Sequence, residues 1–214
     1  MTMSRLAASL MVPVAFAWPR AASAAAVEAQ VRDAQGQPVA DAAVYAIPAV
    51  GAADARNKTV AIEQVDREFV PYVTVLQAGT VATFPNRDPI QHHVYSFSPA
   101  KSFEIKLYSG KSPGGILFDK PGVVTLGCNI HDWMIGYVLV VPTPYFAKTD
   151  AGGIARLRDV PVGSYELHPW HPQQRAPGTP RAFVLDAAPA AVAFTLDVAP
   201  RKAKYKPPLD RVKY

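Results

Sequence analysis

Cysteine, histidine and methionine recur at every third residue in Cys128-Asn129-Ile130-His131-Asp132-Trp133-Met134. A thiolate, an imidazole and a thioether this close together suit a soft metal that changes oxidation state, and copper fits better than zinc. Structural zinc takes four Cys or His ligands and no thioether. Two imidazoles and a thiolate in a trigonal plane, with a weak axial Met, hold a copper that exchanges one electron. Cys128 is the only cysteine of the chain, and beyond residue 24 Met134 is the only methionine. One more histidine is needed, and His92-His93 offers two candidates.

Positioning these residues falls to short strands. Apolar residues alternate with polar ones in Val27-Ala29-Val31, Phe103-Ile105-Leu107 and Val124-Leu126-Cys128, and again over 154–157 and 192–198. A period of two marks strands with one buried face. Gln77-Ala78-Gly79, Lys120-Pro121-Gly122 and Asp150-Ala151-Gly152-Gly153 are turn signals, and 21 prolines with 13 glycines leave little room for a long amphipathic helix. The pattern predicts an all-β sandwich architecture rather than a parallel α/β sheet. If Val124 and Leu126 face the core, Cys128 does too. A buried free thiol is ordinarily neutral and inert, whereas a metal cation would deprotonate it.

Residues 1–24 read as a secretory signal: Arg5, an apolar run from Leu6 to Ala17, and Ala22-Ser23-Ala24 as a cleavage site. Export to the periplasm follows, with no stable membrane span, because no apolar run is long enough to cross a bilayer as a helix. A lone cysteine in an exported protein excludes an internal disulfide and leaves a metal-bound, reactive or inert thiol. Removing Arg5 and Arg20 takes the formal charge from +5 to +3, and six Lys and Arg crowd into 201–214, so the body is near neutral and 201–214 is expected to be a basic, flexible tail. Nucleic acid is excluded as a partner by that location.

Phe84-Pro85-Asn86-Arg87-Asp88-Pro89-Ile90-Gln91-His92-His93-Val94-Tyr95, together with the C-x-x-H-x-x-M loop, resembles the cupredoxins, the short loop being most similar to that of amicyanin. In that family an Asn stands six residues before the first His ligand, which is followed by Asn-Val. Asn86, His92 and Val94 match, while His93 replaces the usual Asn. The resemblance covers about residues 58–147 and implies one type 1 copper site with His92, Cys128, His131 and Met134 as ligands. It also implies a His131 edge partly exposed in an apolar patch, to which Ile130 and Trp133 would contribute. On the same resemblance, His93 would take over the hydrogen bond with which the family's Asn supports the ligand loop. His92-His93-Val94-Tyr95-Ser96-Phe97 and the loop phrase around Cys128 look like exported bacterial cupredoxins labelled methylamine utilization proteins.

A second resemblance brackets the first. Val31-Arg32-Asp33-Ala34-Gln35-Gly36-Gln37-Pro38-Val39-Ala40-Asp41-Ala42 looks like the opening hairpin of a carboxypeptidase regulatory-like domain, and Thr149-Asp150-Ala151-Gly152-Gly153 with Pro161-Val162-Gly163-Ser164-Tyr165-Glu166-Leu167 looks like its continuation. This implies a Greek-key cupredoxin sandwich over 58–147 inserted into a small Ig-like or prealbumin-like sandwich formed by 25–57 and 148–200.

The function expected is periplasmic one-electron transfer between redox partner proteins, with no catalysis. A copper storage or delivery protein would use the same ligands without redox cycling, and the fold without metal would be an interaction module. An enzyme is disfavoured: a Cys128-His131 nucleophile pair would leave Met134 without a role, and copper oxidases need more than five histidines. His168 and His171 are too few for a second site and read as ordinary surface or interdomain residues. Asp132, next to His131, would favour the imidazolium and a potential that rises at acid pH.

Overall fold

The structure is a computed structural model that describes residues 24–51 and 58–200; the expected signal segment up to residue 23 and the basic tail of 201–214 lie outside it. Seventeen strands and no α-helix occur among the described residues, and none is a helix long and apolar enough to cross a membrane. β1 (Ala24–Arg32) and β2 (Ala43–Pro48) come first. Then follow β3 (Thr59–Ala61), β4 (Glu63–Val65), β5 (Glu68–Val70), β6 (Val73–Gln77), β7 (Thr80–Thr83) and β8 (His92–Ser98). β9 (Lys101–Tyr108), β10 (Ile116–Phe118), β11 (Gly122–Gly127) and β12 (Ile135–Val141) continue the chain, and β13 (Phe146–Lys148), β14 (Ile154–Pro161), β15 (Gly163–Trp170), β16 (Arg181–Leu185) and β17 (Ala190–Thr195) complete it.

Alternation in the sequence becomes alternation in burial, because successive side chains of a strand point to opposite faces. Val27, Ala29 and Val31 of β1 are buried and meet Ala155 and Leu157 of β14 and Val192 and Phe194 of β17. That core lies between the sheets β14-β1-β17 and β13-β2-β15-β16. A second core draws Val94, Ile105, Val124, Leu126 and Val138 from the sheet β6-β12-β11-β8-β9, and Ala82 and Phe118 from the sheet β10-β7-β3. A smaller apolar cluster of Ala43, Leu139 and Val141, flanked by Tyr45, Val75, Phe146 and Trp170, lies between the two. The fold is an all-β sandwich, as the period-two pattern predicts.

Two local features depart from simple alternation. Gly153 closes the Asp150–Gly153 turn with φ of 75°, and a Cβ on it would stand 2.5 Å from the Val31 carbonyl, so both backbone and space demand glycine. On β9 the expected inward triplet fails at its end: Leu107 is 48% exposed and Tyr108 is buried instead. The pairing explains it. His92 faces Tyr108 and Val94 faces Ile105, so three steps on β9 oppose two on β8. Such a bulge shifts the phase of the strand by one residue.

Candidate metal centre

Cys128 follows directly after β11, the strand whose Val124 and Leu126 point into the second core, and it is buried with them. β11 is pinned on both sides at this end, Gly127 pairing with Ile135 and with Tyr95. A Cβ at Gly127 would come within 2.7 Å of the Tyr95 ring, which is why this close approach carries glycine. After Cys128 the chain turns tightly, with Met134 N donating to the His131 carbonyl at 2.8 Å. That turn brings His131 back over the sulfur and buries Met134 completely in the same apolar cluster.

His92 is the histidine that reaches the loop. Its Nδ1 lies 3.9 Å from Cys128 Sγ, His131 Nδ1 lies 3.6 Å from it, and all three donor atoms fall within 4.8 Å of one another. Both imidazoles are fully buried. Bonds of about 2.0–2.1 Å to nitrogen and about 2.3 Å to sulfur, meeting at about 120°, require roughly 3.8 Å between sulfur and nitrogen. The two observed separations bracket that value, so the sulfur and each imidazole nitrogen stand at a distance that a shared metal ion spans. Among the described residues this is the one group of three such donors that could hold a metal.

His93 points the other way. Its Nε2 pairs with Glu104 at 2.9 Å, its ring packs 5.5 Å from Tyr95, and its Nδ1 is buried with no hydrogen-bond partner. The loop-supporting bond expected of it is therefore absent, because the pleat turns it to the opposite face from His92 and Val94. Asn86 organises the upstream loop instead: Nδ2 donates to the carbonyls of Ile90 and Tyr108 at 2.8 and 3.0 Å, and Oδ1 accepts from Asp88 N at 2.9 Å. Tyr108, placed inward by the bulge, hydrogen-bonds Gln64 and the Phe84 carbonyl, and burial first, with the nearby Cys128 charge, pushes its pKa up to about 12.

Asp88 is a site residue that spacing did not reveal. Its Oδ2 lies 2.6 Å from His92 Nε2, and its side chain is 9% exposed. Burial works against its charge, but hydrogen bonds from His92 and from the Arg67 and Asp66 amides outweigh it and hold the carboxyl below its ordinary pKa. A partner on the far nitrogen of a ligand imidazole is what orients such rings in metal sites. Proline and carboxylate residues in Asp88-Pro89 were a detectable local turn signal, but the four-residue reach to His92 is a property of the folded loop.

His131 is fully buried, so the exposed edge expected from the resemblance is not present. Trp133 covers it, ring centroids 5.2 Å apart, and the Arg67 guanidinium lies 5.9 Å from the Trp133 ring centre. Trp133 Nε1 is buried with no hydrogen-bond partner. Ile130 packs partly buried against the second core. Burial, then the neighbouring His92 and Arg67, lower the His131 pKa to about 4; the opposing carboxylate is Asp88, not the exposed Asp132 expected to act on it. An imidazole kept neutral suits a metal donor.

This shift has a pH consequence for the metal-free protein. Between an ordinary histidine pKa of about 6.5 and the folded value of about 4, the unfolded chain takes up a proton that the folded chain refuses. Stability is then full above pH 6.5 and falls as the pH drops towards 4. The Tm of copper-free protein should decrease between pH 7 and pH 4.5, and His131→Asn should flatten that slope. An unchanged slope in the variant would assign the effect elsewhere.

His168 and His171 do not join the centre. His168 pairs with Glu166 at 2.9 Å and stacks on Tyr45, with ring centroids 4.9 Å apart, while His171 Nδ1 accepts from Gln173 N at 3.2 Å.

No family model matches the chain, and no curated protein does. Among solved structures the chain is similar to a purple cupredoxin from Nitrosopumilus maritimus, with 21% identity and a TM-score of 0.34 over 40% of this chain and 100% of that one. It is also similar to a reduced variant of amicyanin, with 14% identity and a TM-score of 0.37 over 46% of this chain and 98% of that one. A third likeness is to a copper-containing nitrite reductase from Thermus scotoductus SA-01, with 24% identity and a TM-score of 0.38; it covers 53% of this chain and 28% of that one. At this level of likeness the donor atoms, not the relatives, decide what the centre binds.

Proposed function

We propose that the chain is a periplasmic one-electron carrier with a single type 1 copper site, which Cys128, His92 and His131 would hold with Met134 as a weaker fourth donor. The observation that carries this reading is the buried sulfur with two imidazole nitrogens at 3.6 and 3.9 Å. Copper bound there would supply the Cu(II)/Cu(I) couple. Cys128 provides the anionic donor, and paired strand ends on either side hold it in place before metal arrives. Asp88 orients His92, and Trp133 with the surrounding apolar core excludes water from His131. Donors already at their working separations move little when charge changes, which keeps the barrier to electron transfer small.

The same proposal covers the organisation of the chain. Residues 58–147 form the copper-binding sandwich, inserted into a carboxypeptidase regulatory-like sandwich made by 25–57 and 148–200; in support, the first apolar core takes its residues from both flanks. Residues 1–24 serve as the export signal. The phrases shared with methylamine utilization cupredoxins make an amine-oxidising system the first electron donor to try. Donor and acceptor are redox proteins.

Adding Cu(II) to the purified mature protein should produce an intense sulfur-to-copper absorption in the visible and a reversible one-electron wave. A colourless protein overturns the reading. Met134→Leu should keep the colour and raise the reduction potential, because losing a weak sulfur donor destabilises the oxidised ion more than the reduced one; spectroelectrochemistry measures it, and an unchanged potential would remove Met134 from the site.

Copper storage or delivery is a second reading, favoured by a surface groove of about 390 Å³ that Cys128 and Met134 both line. An acceptor seated there would stand beside the loop, and the buried sulfur donors would be reached only if the loop opened. Cu(I) passing within minutes to a competing chelator would favour delivery, and retention through many redox cycles would favour the carrier.

A further inference from the structure

One carboxylate touches both the donor cluster and its cover. Asp88 Oδ2 meets His92 Nε2 at 2.6 Å and also accepts Arg67 N at 2.8 Å, while Oδ1 accepts Asp66 N at 2.7 Å. Asp66 and Arg67 are the two residues between β4 and β5, with φ of 53° and 60°. A two-residue hairpin turn with both φ values positive normally carries Asn and Gly. Asp66 suits the first of those places, but Arg67 in the second, where glycine is usual, is strained, so the turn depends on an external anchor for its amides. From that turn Arg67 extends over Trp133, which lies against His131.

Asp88 is itself held in place. Its amide donates to Asn86 Oδ1, and Asn86 in turn is tied to the carbonyls of Ile90 and Tyr108. An ionised carboxylate has no proton to give, so the nitrogen 2.6 Å away must be the donor. Neutral imidazole has one N–H. With it committed at Nε2, the Nδ1 lone pair is left facing Cys128.

We propose that Asp88 is the positioning residue of this centre: it takes the Nε2–H of His92, which leaves Nδ1 ready as a donor, and it ties that ring to the Asp66–Arg67 turn that covers the site through Trp133. The proposal deepens the metal-site reading and rests on it. One side chain thus couples the closing of the cover to the orientation of the ligand. Asn in its place offers one acceptor oxygen to three N–H groups and cannot serve all of them.

NMR of the copper-free protein at neutral pH tests the first half. His92 Nε2–H should appear as a slowly exchanging, strongly downfield ring proton, and Asp66 and Arg67 amides should be protected. In Asp88→Asn that ring signal should be lost and both amides should exchange at least tenfold faster. Cu(II) affinity should fall roughly 10–100-fold, as for other outer partners of ligand histidines. Absence of the ring proton in the wild type overturns the proposal even if the variant does not fold, and so does a loss of Cu(II) affinity under tenfold. A purely structural role would lower the Tm and leave both readouts unchanged. Copper-loaded wild type without reversible reduction sinks the carrier reading alone, since the copper-free signal still decides for or against Asp88.

Discussion

Replacing Cys128 by serine should abolish the visible charge-transfer absorption of the copper-loaded protein while the fold persists. The hydroxyl that results is neutral at ordinary pH and a harder donor than a thiolate, so the sulfur-to-copper transition has no origin and the soft metal loses its anionic ligand. The drop in Cu(II) affinity should exceed the roughly 10–100-fold typical of losing an outer partner. Cys128 is 4% exposed, so leaving a hydroxyl unsatisfied there costs about 1–3 kcal/mol. Far-ultraviolet circular dichroism checks the fold, and the visible spectrum checks the site. A variant that stays coloured would remove the sulfur from the centre.

The largest stability effect should come from the strand that carries this cysteine. Leu126 is fully buried in the second core, and Leu126→Ala should destabilise the copper-free protein by about 2–5 kcal/mol, from lost burial and the cavity left behind. Val123 on the same strand is 38% exposed, and Val123→Ala should stay within about 0.5 kcal/mol of the parent. Urea unfolding with a constant slope measures both. Copper at a hundredfold excess over its Kd should return about 2.7 kcal/mol to either variant, because it binds the folded state alone. Equal losses in the two variants would contradict the inward orientation of Leu126, and with it the inward orientation of Cys128.

Much of the fold was legible because burial on a strand repeats every two residues. β1, β11 and the first half of β14 can be read off Val27-Ala29-Val31, Val124-Leu126 and Ala155-Leu157 without any partner strand. The donor types could be read from C-x-x-H-x-x-M, and the fold brings two of them, Cys128 and His131, together. Where the reading slipped, a neighbouring strand was responsible. Leu107 lost its inward place to Tyr108 because β9 bulges against β8, and that bulge belongs to the pair rather than to either sequence. The resemblance implied a partly exposed His131 edge, yet Trp133 and a turn sixty-odd residues upstream enclose it.

By itself the sequence determined the strand periodicity, the single thiol and the three-residue spacing that folds His131 back over it, all of which are local and follow from residue type and the two-residue pleat. Only the tertiary structure decided that His92 and not His93 meets the sulfur, that Asp88 holds its far nitrogen, and that the centre is covered. Those outcomes depend on which strands pair and in what register, and register is set by the burial of whole faces rather than by any one segment.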